Sequence, residues 1–524
     1  MRHFRSTSTV FAALLFTAGA AAAQSVRLDT SLTPAAASAP QGQGGGSLDV
    51  PLRPPPQSSL PDLGSTANGM LSREDEYQLG RMVMRDVRAE GRLFEDPETT
   101  DYLQSVGSRI GVEAQDGEQR LTLFAIRDPS INASTLPGGF IVVNTGLVLL
   151  TNNESELAGV LAHEIGHVVQ RHLVRGAQAQ GRTSLATMAG MLAGILLGAA
   201  TGNADAIPGV VALAQGTAMQ QQINFTRMEE HEADRVGIGY LAAAGYDPNS
   251  MAGFFSLMQR ERGLAGDNIP ALLQDHPIDS VRIAEARSRV ATMPPYPRRS
   301  ESPGYAYIRE RIRVLGDLQD VDQRRYYEHM RQNDPKNGAL VYGAALAEMK
   351  SGSPQKAVAL LKPLVAQNPQ LTLLQTALAQ AQIAAGQKDE GVNTFEHGLA
   401  VSPRNVPMTV HYAEALLTLG KAAKAHQILL DLFNNVAPTP EQMRLIALVA
   451  SAAGDTGDAY YYMSEYHIAS GDLMLATTQL DLALAAPDLT DVQRKRFAAR
   501  RDEIRNYLRE QRGSRSSGRT TPQG

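Results

Sequence analysis

Hydrophobic and polar positions along the chain change period several times, and each change predicts an element. Ser72-x-x-Asp75 has the form of a capping box, and Leu79, Met82, Val83 and Val87 follow at helical spacing, so ordered structure is expected to begin at Ser72. Two short apolar runs then read as strands: Leu121 to Ile126, and Gly139 to Asn144 after the turn pair Pro137-Gly138. Asn153, with Glu156 as a capping partner, opens a helix whose apolar stripe is Leu157, Val160, Leu161, Ile165, Val168 and Val169. Residues 183 to 204 carry no charge and are rich in Gly, Ala, Leu and Met. That stretch is long enough to cross a membrane but only weakly hydrophobic, which favours a buried or interfacial helical hairpin. Another helix is expected from about Thr226 to Ala244, and Pro294, Pro295, Pro297 and Pro303 then mark a boundary.

Beyond that boundary the pattern becomes periodic. Gly352, Gly386, Gly420 and Gly454 recur every 34 residues, and Ala357, Gly391, Ala425 and Ala459 each follow five residues later. A turn glycine followed by a small residue where two helices cross, at this period, is the tetratricopeptide signature. Gly471 is placed to start one further helix pair. The two ends differ from everything between them. Arg2 and Arg5 precede an apolar run from Val10 to Ala23 that closes on Ala21-Ala22-Ala23, the form of a cleaved export signal. Residues 24 to about 70 are a Pro/Gly/Ala-rich linker, and the tail from Arg512 is rich in Ser, Gly and Arg.

Composition narrows the chemistry. Among 524 residues, 49 Lys and Arg against 54 Asp and Glu leave a formal charge of −5, which argues against a dedicated nucleic-acid binder. Cysteine is absent, which removes disulfides, thiolate metal sites and cysteine nucleophiles together. Any metal must be held by His, Asp or Glu. Tryptophan is also absent and aromatics make up 5%, so helices packed through small residues are expected rather than an aromatic-rich sandwich.

One constellation carries reaction chemistry. His163-Glu164-Ile165-Gly166-His167 is an H-E-x-x-H motif, which on a helix aims both imidazoles at one ion and puts Glu164 where it can take a proton from water. A catalytic site needs a third protein ligand. On the later helix Glu230, Ala233, Asp234, Gly237 and Leu241 form one buried stripe, so its two carboxylates need partners. Glu230 is the best third ligand and Asp234 the best residue to orient a ligand histidine. A purely structural helix ion-paired through Arg227 is the competing reading. Glu229, His231, Glu232 and Arg235 lie off the stripe and could be solvated. His172, five residues past His167, is expected at the surface.

His163-Glu164-x-x-His167 with Arg227-x-x-Glu230-x-Glu232-Ala233-Asp234 resembles the HtpX/BepA-type zinc metallopeptidases, with Thr226 where the family usually has serine. The order of export signal, peptidase and repeat array resembles the family's periplasmic members. The resemblance implies an α+β, mostly α chain: a gluzincin-type metallopeptidase domain with a small β-sheet, then an α-solenoid of tetratricopeptide repeats. The implied division is a signal at 1–23, linker 24–70, peptidase 71–292, linker and helical connector 293–335, repeats 336–510 and tail 511–524. It implies one Zn2+ per chain on His163, His167 and Glu230, with Glu164 as general base and Asp234 close to the active site. It also implies that Asn132 to Asn144, containing Leu136-Pro137-Gly138-Gly139-Phe140, is a strand beside the zinc whose exposed edge binds substrate, so Gly138, Gly139 and Phe140 are candidate substrate contacts. His276-Pro277 followed by Arg282 is similar to an element that can cover the metal, which makes His276 and Arg282 candidate regulatory residues. The expected partners are unfolded or misassembled proteins and, through the repeats, outer-membrane assembly machinery, with peripheral membrane contact possible and no nucleic acid. A chaperone or adaptor with a latent protease site, and a structural zinc protein, are the alternatives.

Overall fold

The computed structural model describes residues 72–114, 120–179, 216–265, 270–316 and 322–517. The export signal, the linker and the uncharged stretch 183–204 lie outside the described residues. Helix α1 (Arg73–Ala89) begins where the capping pattern put it, with Asp75 N donating to the Ser72 hydroxyl. Helix α2 (Pro97–Glu113) follows, capped by Asp96. Strands β1 (Thr122–Ile126), β2 (Ala133–Leu136) and β3 (Phe140–Asn144) form one sheet in the order β1-β3-β2. β1 runs parallel to β3, Thr122 opposite Phe140, and β2 runs antiparallel to it, Ala133 opposite Val143. The expected strand at 139–144 is therefore the central one. β2, of four residues, is one edge of the sheet, and the expected 132–144 strand is in fact two strands joined by the Pro137–Gly139 turn.

Helices α3 (Thr145–Leu150), α4 (Glu154–Val169), α5 (His172–Ala179), α6 (Gly216–Ala243), α7 (Asn249–Ala265), α8 (Ala271–Asp275) and α9 (Ser280–Thr292) complete the peptidase region. α4 is buried on nearly every side, with Leu157, Leu161 and Ile165 fully inside. Its core is shared with α2, the sheet, α6 and α7.

Helix α10 (Gly304–Leu315) joins the two halves. Its Tyr305, Ile308 and Ile312 sit in the peptidase core, while Tyr307 and Val314 sit in the core of the repeats. The segment before it braces the start of α4. Ser302 N donates to Glu154 Oε2 at 2.6 Å, and the Tyr305 hydroxyl donates to Thr151 O at 2.8 Å. Helix α11 (Gln323–Asn333) leads into the array.

The array consists of paired helices: α12 and α13 (Gly338–Lys350, Pro354–Gln367), α14 and α15 (Thr372–Ala384, Lys388–Val401), α16 and α17 (Val406–Thr418, Ala422–Phe433), α18 and α19 (Pro440–Ala452, Thr456–Ala469), and α20 and α21 (Leu473–Ala485, Asp491–Ser517). The repeating glycines have a physical cause. Gly352, Gly386, Gly420 and Gly454 turn each pair with φ between 71° and 86°, a region closed to most side chains. The further pair announced by Gly471 is present, and α21 continues to Ser517, past residue 511 where the tail was expected. Among the described residues no helix is long and apolar enough to cross a membrane.

A buried charge network fastens the repeats to the peptidase region. Arg311 on α10 grips Asp96 with three contacts of 2.7–2.9 Å and Glu98 at 2.8 Å, and donates to the Tyr342 hydroxyl. His411 on α16 donates through Nε2 to Glu98 at 2.9 Å and through Nδ1 to Glu414 at 2.8 Å. Burial alone would lower the His411 pKa, but Glu98 and Glu414 outweigh it and hold it up at about 10. A group raised in the folded state stabilises fully below its ordinary value of 6.5 and loses that contribution as pH rises through about 10. The pair should contribute about 1–3 kcal/mol at neutral pH. In a thermal-melt series across this window, His411→Leu should flatten the wild-type decline on the alkaline side; an unchanged slope would show that His411 does not fasten the halves.

Candidate metal centre

Two helices make the site, and glycines let them meet. α4 crosses α6 so closely that a Cβ on Gly166 would lie 3.0 Å from Ala233 O, and one on Gly237 would lie 2.9 Å from Ala162 O. Any side chain at either position would push the helices apart. The crossing sets the buried stripe of α6 against the H-E-x-x-H turn of α4, so Glu230 and Asp234 face His163 and His167.

Four donor residues converge there. His163 Nε2 lies 3.0 Å from His167 Nε2 and 3.4 Å from Glu230 Oε2, and His167 Nε2 lies 3.4 Å from Glu230 Oε1. His276 Nδ1 is 3.3 Å from His163 Nε2 and 2.9 Å from Glu230 Oε1. Tetrahedral ligands at ~2.0–2.1 Å from an ion stand about 3.3 Å apart. The spacing and the imidazole–carboxylate donor set therefore fit a bound metal ion, and all four atoms lie within 4.8 Å of one another.

Each candidate ligand histidine on α4 is held from behind. His163 Nδ1 faces Asp234 Oδ1 at 2.9 Å. Arg282 locks Asp234 with two contacts of 2.7 and 2.8 Å, reaches Glu230 Oε2 at 2.8 Å and donates to Pro277 O. One guanidinium thus serves both buried carboxylates of α6 and ties down the His276 segment. His167 Nδ1 faces His172 Nδ1 at 2.9 Å, His172 Nε2 faces Glu232 at 3.2 Å, and Arg175 holds Glu232 at 2.9 Å. With metal on Nε2, His167 would donate through Nδ1 to His172, and His172 through Nε2 to Glu232.

The electrostatics suit a cation. Burial works against a charged His163, but Asp234 and Glu230 outweigh it and raise its pKa to about 10. Burial pushes His167 down to about 3, so it is a neutral imidazole, the form that ligates. Burial would raise Glu230 and Asp234; the surrounding His276, His163, His167 and Arg282 pull both below the ordinary carboxylate range. Glu164 is fully buried, its Oε2 accepting from the Thr135 hydroxyl at 2.7 Å and its Oε1 3.6 Å from His276 Nε2.

The structure thus brings together His163, Glu164, His167, Glu230, Asp234, His276 and Arg282. The β2–β3 turn is only partly in place. Gly138 and Gly139 border a cleft with Thr135, Leu136, His167, Val168 and Arg171. Phe140 does not reach it. Its ring is buried on the central strand, stacked on Tyr77 and Phe124.

Two expectations about polar residues need correction. His172 is 3% exposed rather than at the surface, because α4 stops at Val169 and Arg171 turns with φ 53°. Helical angles carried past the end of a helix misplace everything beyond it. Glu232 is likewise only partly solvated, since it completes the relay through His172 and Arg175. Thr135 lies inside the expected 132–144 strand but is not singled out by the sequence as a site residue, because its contact with Glu164 is non-local.

Fold and site together define a metalloprotease carrying a tetratricopeptide array. Residues 97–290 match the profile of peptidase family M48, and residues 316–381 match a tetratricopeptide repeat profile. The chain is 30% identical to the Beta-barrel assembly-enhancing protease of Escherichia coli (strain K12), across 85% of this chain and 91% of that one. It is 29% identical to the protein of the same name from Yersinia pestis, across 86% and 92%. A mitochondrial metalloendopeptidase of Schizosaccharomyces pombe is 30% identical across 35% of this chain and 51% of its own. The chain belongs to peptidase family M48.

If the His172 relay fixes His167, then His172→Leu should weaken metal binding about 10–100-fold, read by chelator competition on the full chain. Wild-type affinity in that variant would remove His172 from the site.

Proposed function

We propose that the chain is a zinc-dependent endopeptidase of the periplasm, acting on misfolded or stalled outer-membrane proteins. The single observation that carries the reading is the donor triad of His163, His167 and Glu230 at tetrahedral spacing, with the Glu164 carboxylate beside it. Two imidazoles and one carboxylate are the ligand set of an open catalytic zinc site. When bound, the ion supplies Lewis-acid chemistry, acidifying water and polarising the scissile carbonyl.

The chain's own residues do the rest. Glu164 takes the proton of the attacking water at Oε1 and returns it to the leaving nitrogen. Asp234 and His172 hold the two ligand rings. Asn144 N donates to Asn132 O. Along an antiparallel strand the inward-bonding residues alternate, so Ser134 and Leu136 face β3 while Ala133 and Thr135 turn their backbone groups to the free edge. An extended substrate can add there as a further strand, with the Gly138-Gly139 turn bordering its path. His276 is the regulatory residue. Its segment bonds the start of the same edge, Leu272 N to Ile131 O at 3.0 Å and Asn132 Nδ2 to Asp275 at 3.0 Å. With His276 as fourth donor the site is latent, and displacement of this segment opens both metal and edge.

The periplasmic setting rests on the N-terminal export pattern and on the relatives named for β-barrel assembly. The repeats supply the surface for substrates or assembly machinery. The covering His276 segment favours a second reading, a chaperone or adaptor in which cleavage is secondary.

Glu164→Gln should retain one zinc per chain and lose at least about a thousandfold of its cleavage of an unfolded β-barrel protein. Wild-type cleavage in that variant would refute the mechanism, and full complementation of a deletion strain by it would favour the adaptor reading. His276→Ala should raise basal cleavage while leaving zinc content unchanged. Unaltered basal cleavage would mean that His276 does not restrain the site.

A further inference from the structure

Thr135 is the residue at which the free sheet edge and the general base meet, and we infer that it is a positioning residue for Glu164. The inference rests on the protease reading above. Thr135 is half-buried on β2, and its side chain points to α4 while its backbone groups face the free edge. The hydroxyl lies 2.7 Å from Glu164 Oε2 and 3.0 Å from Glu164 O. It has one proton to give, and the carboxylate oxygen is both the nearer and the more strongly charged acceptor.

The consequence is a division of labour between two chemically identical oxygens. Oε2 is held by Thr135. Oε1 is buried and has no hydrogen-bond partner among the described residues. Without the hydroxyl, the carboxylate could rotate about its terminal torsion, a broad and soft one, and either oxygen could turn away from the water it must deprotonate. The bond keeps one oxygen committed to the strand and the other turned to the centre. Because the same residue presents its backbone at the free edge, a chain paired to that edge stiffens the element that holds the base. Substrate docking and base alignment are thereby coupled through one side chain.

The test compares full-length Thr135→Val, Thr135→Ala and Thr135→Ser with wild type, using zinc content, kcat and KM on one unfolded protein substrate. Valine keeps the shape and the strand preference but has no hydroxyl. Valine and alanine should each lower kcat about tenfold or more, with KM and zinc content unchanged. Serine should stay within about threefold of wild type, since it restores the donor. Adding Thr135→Val to Glu164→Gln should cost nothing further. A rise in KM at constant kcat would overturn the inference by assigning Thr135 to docking alone. Serine as impaired as valine would overturn it by showing that shape, not the hydroxyl, matters. If Glu164→Gln is inactive while Thr135→Val matches wild type, this inference fails and the protease reading stands.

Discussion

The centre depends on how closely α4 and α6 approach. Gly166 lies inside the H-E-x-x-H motif, and Gly237 lies one turn beyond Asp234; neither position has room for a Cβ. Wider helices would leave Glu230 out of reach of the two imidazoles, and the donor spacing of 3.0–3.4 Å would be lost. The glycines that look like filler between chemically active residues set the distance on which the chemistry depends.

Such an approach concentrates charge, and the fold answers with one arginine. Glu230 and Asp234 are nearly fully buried within one turn of each other, an arrangement that is costly without compensation. Arg282 reaches both and also holds Pro277 O. Its packing over Phe255, 4.9 Å from the ring centroid, fixes the guanidinium plane. The same cation that makes the ligand set tolerable therefore anchors the segment carrying His276. Compensation of the buried carboxylates and anchoring of the His276 segment share a side chain, so they cannot be separated by a single substitution at Arg282.

What the sequence made legible follows from periodicity. His163, Glu164 and His167, and the stripe bearing Glu230 and Asp234, could be placed because each lies within one helix, where angle follows from number. The 34-residue glycine spacing was readable because a left-handed turn demands that residue. The misreadings lie where the period ends. His172 follows a helix terminus and a turn at Arg171 that no pattern announced. The burial of Phe140 on a central strand was not readable, because strand order is non-local and nothing in the run Phe140 to Asn144 says that β2 folds back outside it. Thr135 and Arg311 act through contacts with distant residues, which no local pattern encodes.

Helix α10 gives the two halves more than a junction. It contributes to both cores, and Ser302 just before it and Tyr305 in its first turn hold Glu154 and Thr151, at and just before the start of the helix that carries His163 and His167. In mechanical terms the molecule is a lever with its fulcrum at the first turn of α4. Among the described residues, a force on the array would reach the first turn of α4 through α10, whose side chains belong to both cores.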